Sequence, residues 1–299
     1  MSVLAGQATT VGCAAEAGAQ AALRPIWLCA DDYGISLSVN KAIRELVMRG
    51  RINATSVMVV APRFDRSEAA SLAVLNAGSR RVAIGLHVTL TAPFKPLSVG
   101  FLPARRGAFV SLEGMMARGT LRLLDRNRLA VEIATQLKAF VTRFGRAPDF
   151  VDGHQHVHLF PQVREALLRV MMEVAPRAWA RQCGRAVAPA RRYADRKALL
   201  LDALSRKFRA RAAAHGIATN PAFAGAYDFA TAEDGDYARL FPEFLKKLPA
   251  QGVVMCHPGL VDAELVQLDP LTTQREREYA FFADDAFPGL LRAQGVALA

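Results

Sequence analysis

The stretch that decides the fold is Ile26-Trp27-Leu28-Cys29-Ala30-Asp31-Asp32-Tyr33-Gly34. Ile26 to Cys29 read as a short buried strand, and the chain runs from them straight into two adjacent carboxylates. A helix follows through Val39, Ile43, Leu46 and Val47, and Gly50 stops it, as glycine commonly does. Charged side chains at the end of a buried strand are costly unless something binds there. The arrangement recurs downstream. Val82-Ala83-Ile84 leads into Gly85-Leu86-His87, and Phe150-Val151 leads into Asp152-Gly153-His154-Gln155-His156-Val157-His158. Gly252–Cys256 ends in His257-Pro258-Gly259. Carboxylates and imidazoles gathered at one rim make a divalent metal the economical explanation.

Working outward, short apolar runs alternate with amphipathic segments. Strands are predicted at 26–30, 54–60, 82–90, 150–158, about 178–183 and 252–256. Helices are predicted at about 66–76, 129–144, 161–175, 194–214 and 237–247, with Thr273–Glu276 matching a capping box. Strand–helix repetition without internal repeats predicts an α/β fold with parallel strands. All candidate site residues fall at carboxyl ends of strands, the rim that carries the chemistry in a (β/α) barrel. An open doubly wound sheet also binds there, but no G-x-G-x-x-G follows the first strand. The expectation is an irregular, TIM-like (β/α) barrel.

Residues 25–299 are read as one domain. Residues 1–24, rich in Ala and Gly with Glu16 the only charge before Arg24, are read as a flexible tail. They lack the basic start and apolar block of a signal peptide, and no apolar run approaches a spanning helix, so a cytoplasmic location is expected. Prolines 93, 96 and 103 break the rhythm over 91–128, a candidate substrate-covering insertion, and a second insertion is placed near 184–236.

The 299 residues carry a formal charge of +11, and 52% are hydrophobic, enough for a sizeable core. Residues 191–211 hold eight Lys/Arg against two Asp. A basic helical face is most often a solvated surface. Anionic lipid is the next candidate partner, because basic segments are attracted to such a leaflet. No zinc finger or basic–aromatic signature accompanies the charge, so nucleic acid is not expected. The four cysteines form no C-x-x-C pair, and Cys29 and Cys256, in apolar runs, read as buried inert thiols.

Taken alone, an Asp-Asp pair before a helix is usually turn or capping chemistry, and a strand histidine is more often structural. At strand period His154, His156 and His158 would all point to one side with Asp152, which shifts the balance toward a shared ligand. Periodicity does not say which of them binds metal. His257 precedes proline, which favours extended backbone at the strand terminus and suits a catalytic acid.

These motifs, in this order, resemble the YdjC-like (ChbG) carbohydrate deacetylases, which remove acetyl from N-acetylated sugars. The resemblance runs from about residue 26 to the C-terminal helix. It implies a distorted barrel, one divalent metal (Mg²⁺ or Zn²⁺) held by Asp32, His87 and His154, Asp31 as base and His257 as acid. It also makes a homodimer a fair expectation. Phe223–Phe229 and Leu268–Glu276 look like the branch associated with hopanoid biosynthesis, which implies an N-acetylglucosaminyl hopanoid lipid as substrate and peripheral contact with an anionic membrane. The family more often carries Phe where this chain has Tyr33. Arg181 could orient a carboxylate or the sugar. The alternatives are a deacetylase of soluble N-acetylated oligosaccharides such as chitobiose, a metal-dependent phosphoesterase, and a non-catalytic glycolipid-binding protein.

Overall fold

The computed structural model describes residues 23–78, 82–186, 196–227 and 236–299. Strand β1 (Arg24–Tyr33) runs further than its apolar stretch predicts, because an irregularity between Ala30 and Tyr33 carries the chain past both aspartates and pairing with β2 resumes at Tyr33. Ser36 then caps helix α1 (Leu37–Met48), its hydroxyl accepting the Val39 N–H at 3.3 Å. Next come β2 (Ala54–Val57), α2 (Arg66–Ala73) and β3 (Ala83–Val88). The strand predicted at 54–60 is shorter than expected. Met58 N–H donates to Tyr33 O and Ala61 N–H to Met58 O, so residues 58–60 form a turn.

A two-stranded hairpin, β4 (Ala104–Arg105) with β5 (Ala108–Phe109), and helix α3 (Leu112–Thr120) lie inside the first predicted insertion. Helix α4 (Arg126–Phe144) starts on Asp125, which accepts from Asn127 and Arg128 N–H, and ends at Gly145 in left-handed backbone (φ 68°). The chain continues through β6 (Phe150–Gly153), α5 (Val163–Val174), β7 (Trp179–Ala180), α6 (Arg196–Ala214), β8 (Phe223–Ala224), α7 (Asp236–Leu245) and β9 (Val253–Cys256). Helices α8 (Ala263–Leu268), α9 (Thr273–Ala283) and α10 (Phe287–Ala293) and strand β10 (Val296–Leu298) follow. Helix α9 begins where the capping box was read, but Thr272 is its N-cap and no side chain caps it; Glu276 instead accepts from Val261 N–H.

Among the described residues seven strands pair in the order β7-β6-β3-β2-β1-β9-β8, all parallel, and β10 adds to the start of β1. The ends of this curled sheet meet weakly: among the described residues a single parallel bridge joins Ala180 to Thr219, and Phe223 N–H donates to Gly184 O. The fold is therefore the expected α/β one, a parallel irregular barrel with one thin seam. Helices cover the sheet, and one contiguous core includes Ile26, Leu28, Ile43, Ile84, Phe140, Leu167, Phe241 and Phe282. The predicted tail lies outside the described residues as far as residue 22, and Arg24 already belongs to β1. The second predicted insertion, with its basic run, lies partly outside them as well. No helix among the described residues is long and apolar enough to cross a membrane.

Candidate active site

The barrel order brings the carboxyl ends of β1, β2, β3, β6 and β9 side by side, so residues far apart in sequence share one rim. Asp31 and Asp32 leave β1 toward different partners because Asp32 adopts left-handed backbone (φ 68°). A non-glycine residue rarely takes that conformation unless its surroundings hold it there.

Asp31 is gripped by a fork. The fully buried Arg181, just past β7, donates to Asp31 Oδ1 and Oδ2 at 2.7 Å each, and its Nη1 also lies 2.9 Å from Asp152 Oδ2. Burial works to raise the Asp31 pKa. Arg181, followed by His87, outweighs it and holds the carboxyl well below the usual carboxylate range. Asp32 Oδ2 accepts from Arg275 on α9 at 2.6 Å, and the same guanidinium reaches Asp269 at 2.7 Å.

Asp32 Oδ1 is the meeting point of two imidazoles, with His154 Nδ1 at 3.0 Å and His87 Nε2 at 3.3 Å. The other nitrogen of His87 is held by Asp152 at 2.6 Å and Ser56 at 2.9 Å, which aims Nε2 at Asp32. Burial opposes a charge on His87, but Asp152 and Asp31 together lift its pKa to about 10. One donor atom from each of Asp32, His87 and His154 lies within 4.8 Å of the others, all three side chains buried. An O,N,N set with one imidazole oriented by a carboxylate suits a divalent cation, so these residues fit a metal. A second group, Cys29, Asp31 and Asp152, is equally compact, but the Arg181 guanidinium already bridges its two carboxylates. That cationic side chain stands where a second metal would have to sit.

The strand predicted at 150–158 stops at Gly153. His154–Leu159 form a 3-10 turn in which Gln155 (φ 52°) and His156 (φ 58°) are left-handed. The three histidines therefore do not share a face. His154 joins Asp32. His156 Nδ1 faces Cys183 Sγ at 3.5 Å and packs on Phe223, and burial, then Arg181, pushes its pKa to about 3, leaving it neutral. His158 Nε2–H donates to the Arg181 carbonyl at 2.8 Å, tying the turn to the loop that carries the guanidinium. Gly153 has no room for a side chain here, since a Cβ would lie 2.9 Å from His158 Nδ1.

His257 follows β9, close enough to Asp32, Arg275 and Asp31 to feel their charges; burial lowers its pKa, and Asp32 opposes that only in part. Its backbone N–H donates to Glu278 on α9, whose other oxygen accepts from Tyr227 Oη at 2.7 Å. Burial raises the Glu278 pKa to about 7. Tyr33 is turned away from this cluster. Its hydroxyl accepts from Arg44 and donates to Glu68, both at 2.8 Å, in a network between α1 and α2. Cys29, Cys183 and Cys256 are buried, and burial pushes each thiol up.

The structure thus gathers Asp31, Asp32, His87 and His154, with His257 at the same rim. Sequence reasoning gave Arg181 only a loose role and missed Arg275, Glu278 and Ser56. The one signal available was the Arg275–Glu278 spacing, which puts both on one face of a helix.

The sequence matches the YdjC-like protein family over residues 25–293. A chitooligosaccharide deacetylase of Escherichia fergusonii is 32% identical over 139 residues, 45% of this chain and 50% of that protein, so the chain spans about half of that relative's length. Among solved structures, an Enterococcus faecalis protein described as a cellobiose-phosphate cleavage protein superposes with a TM-score of 0.72 at 20% identity, over 93% of this chain and 97% of the other. That likeness bears on the fold. The family match spans nearly the whole described body and every residue of the rim, and the chain belongs to the YdjC-like protein family.

Proposed function

We propose that the protein is a metal-dependent carbohydrate N-deacetylase, acting through a single domain over residues 25–299. Asp32, His87 and His154 would hold one divalent cation, Mg²⁺ or Zn²⁺, with Asp31 as base and His257 as acid. The observation that carries this reading is the convergence of His87 Nε2 and His154 Nδ1 on one oxygen of Asp32. The cation would supply Lewis-acid polarisation of the acetyl carbonyl and a more acidic water. Asp31, kept ionised by Arg181, accepts the hydrogen bond of the attacking water and takes its proton. His257, neutral at the outset because burial lowers its pKa, receives that proton and passes it to the departing amine. Water is consumed, the C–N bond breaks, and acetate and the protonated amine leave, so that both protons of the water end on the amine. His87 is oriented by Asp152 and Ser56 and needs no other role.

The substrate class follows from two supports. The Escherichia fergusonii relative is named for chitooligosaccharides, which favours an N-acetylated sugar. The stretches Phe223–Phe229 and Leu268–Glu276 resemble the hopanoid-associated branch, which favours an N-acetylglucosaminyl group carried on a hopanoid lipid. Soluble chitobiose is the second reading, and the same relative supports it. Incubating metal-replete protein with each substrate and following the mass tests both. Loss of one acetyl group from the glycolipid in preference to chitobiose is expected, and Asp31→Asn should abolish it. No acetyl loss from any N-acetylated sugar would sink the proposal.

A further inference from the structure

We propose that the insertion between β3 and α4 is a docking face for an anionic lipid surface, placed to present lipid-linked sugar to the rim. This deepens the lipid-linked reading of the substrate and rests on it. Of the large apolar side chains that stand exposed among the described residues, Leu97, Val99, Leu102, Leu121 and Leu123 fall in this one segment, and Val131 follows on α4. Val99 is fully exposed, and Leu121 and Leu123 are 68% and 69% exposed. Residues 91–131 also carry seven Lys/Arg against two Asp/Glu. Apolar side chains set among exposed Arg105, Arg106, Arg122, Arg126 and Arg128 have the composition of an interfacial lipid contact.

The apolar tips are held, not loose. Leu97 and Ser98 N–H donate to the buried Glu132 of α4 at 3.1 and 2.7 Å, and Arg128 donates to Gly100 O. Phe101, between Val99 and Leu102, is buried against Phe109. Leu123 N–H donates to Arg118 O at 2.9 Å, and the buried Leu124 is fixed at both backbone atoms by Gln162. The same segment reaches the site: Phe94, six residues past Val88 of β3, sets its ring against His154 at 5.7 Å.

Helix α6 is the other basic surface, with Arg206, Lys207, Arg209 and Arg211 exposed, but Leu200 is its one exposed large apolar residue among those described. It offers charge without anything to insert. Charge complementarity together with the apolar tips therefore selects the insertion, and selects anionic lipid as its occupant.

Co-sedimentation with vesicles of phosphatidylcholine, with and without phosphatidylglycerol, tests this without turnover. The wild type should bind the anionic vesicles only, and added salt should weaken binding. The double variant V99D/L123D should lose affinity by roughly tenfold or more, against less than about threefold for R206E/R209E. Circular dichroism and thermal melting of both variants should match wild type. Equal recovery on both vesicle types, no binding to either, or loss of binding only in the α6 variant would overturn the proposal. So would a change in sedimentation of the vesicle-free protein caused by V99D/L123D, which would assign the face to a second copy. Vesicle binding that persists while no N-acetylated sugar is hydrolysed would remove the enzymatic reading and leave the docking face standing.

Discussion

Replacing Arg181 with methionine tests the electrostatic core of the site. Arg181 is fully buried and makes two 2.7 Å bonds to Asp31 and a 2.9 Å contact with Asp152, both of which are themselves buried. Methionine keeps much of the stem but leaves those carboxylates with His87 as their nearest remaining cation. Removing one partner of a buried ion pair costs about 3–5 kcal/mol, a large part of the ~5–15 kcal/mol that holds a domain folded. Urea unfolding followed by the fluorescence of Trp27 and Trp179, which lie 6.5 Å apart, reads that loss. Its pH dependence has a definite sign. In the wild type the Asp31 pKa is depressed, so its contribution is present above the ordinary carboxylate pKa and fades as pH falls below it. Without Arg181 burial dominates and Asp31 takes up a proton earlier, so the deficit of R181M should shrink between neutral pH and pH ~4. R181M/D31N should recover part of it, with a coupling of ~1–3 kcal/mol. A deficit under ~1 kcal/mol at neutral pH, or one that grows on acidification, would refute the reasoning.

Glu278→Ala should lower kcat more than it raises KM, because it frees the backbone of His257, and Glu278→Gln, which can still accept that N–H, should restore most of the rate. Glu278 binds its proton at about 7 when folded against 4.5 when unfolded. Its contribution is thus complete below the lower value and is lost as pH rises through the upper one. E278Q should therefore gain on wild type by roughly 1 kcal/mol per pH unit across that window, and parallel stability profiles would contradict it. His257→Ala should cost about 10²–10⁴ in kcat with metal content unchanged by elemental analysis; lost metal would mean that it is a ligand. Tyr33→Phe should leave kcat unchanged and cost about 1 kcal/mol in thermal or urea unfolding, since the hydroxyl serves Arg44 and Glu68. A changed kcat would place that hydroxyl in the site.

The rim strands β1, β3, β6 and β9 were legible because each is an apolar run that leads into a polar residue, a purely local signal; the two-residue β8, inside a stretch read as irregular, and β10 gave no such signal. Asp31, Asp32, His87 and His257 could be found that way. The turn after β6 could not, because His-Gln-His-Val-His alternates with the period of a strand and nothing local announces the left-handed Gln155 and His156. The charge pairing was hidden for another reason. Arg181 meets Asp31 across 150 positions and Arg275 meets Asp32 across 243, and which arginine finds which carboxylate is settled only by the order of strands in the barrel. Tyr33 sits inside the motif, and only the packing of α1 and α2 shows that its hydroxyl serves a neighbouring network.

Helix α9 carries both Arg275, which grips Asp32, and Glu278, which holds His257. Asp32 is made 243 positions before the arginine that grips it, whereas Asp31 is held by a different one, Arg181. Until α9 has been made, a nascent chain carries Asp32 without Arg275 and His257 without Glu278, so the rim takes its folded arrangement only once that helix docks.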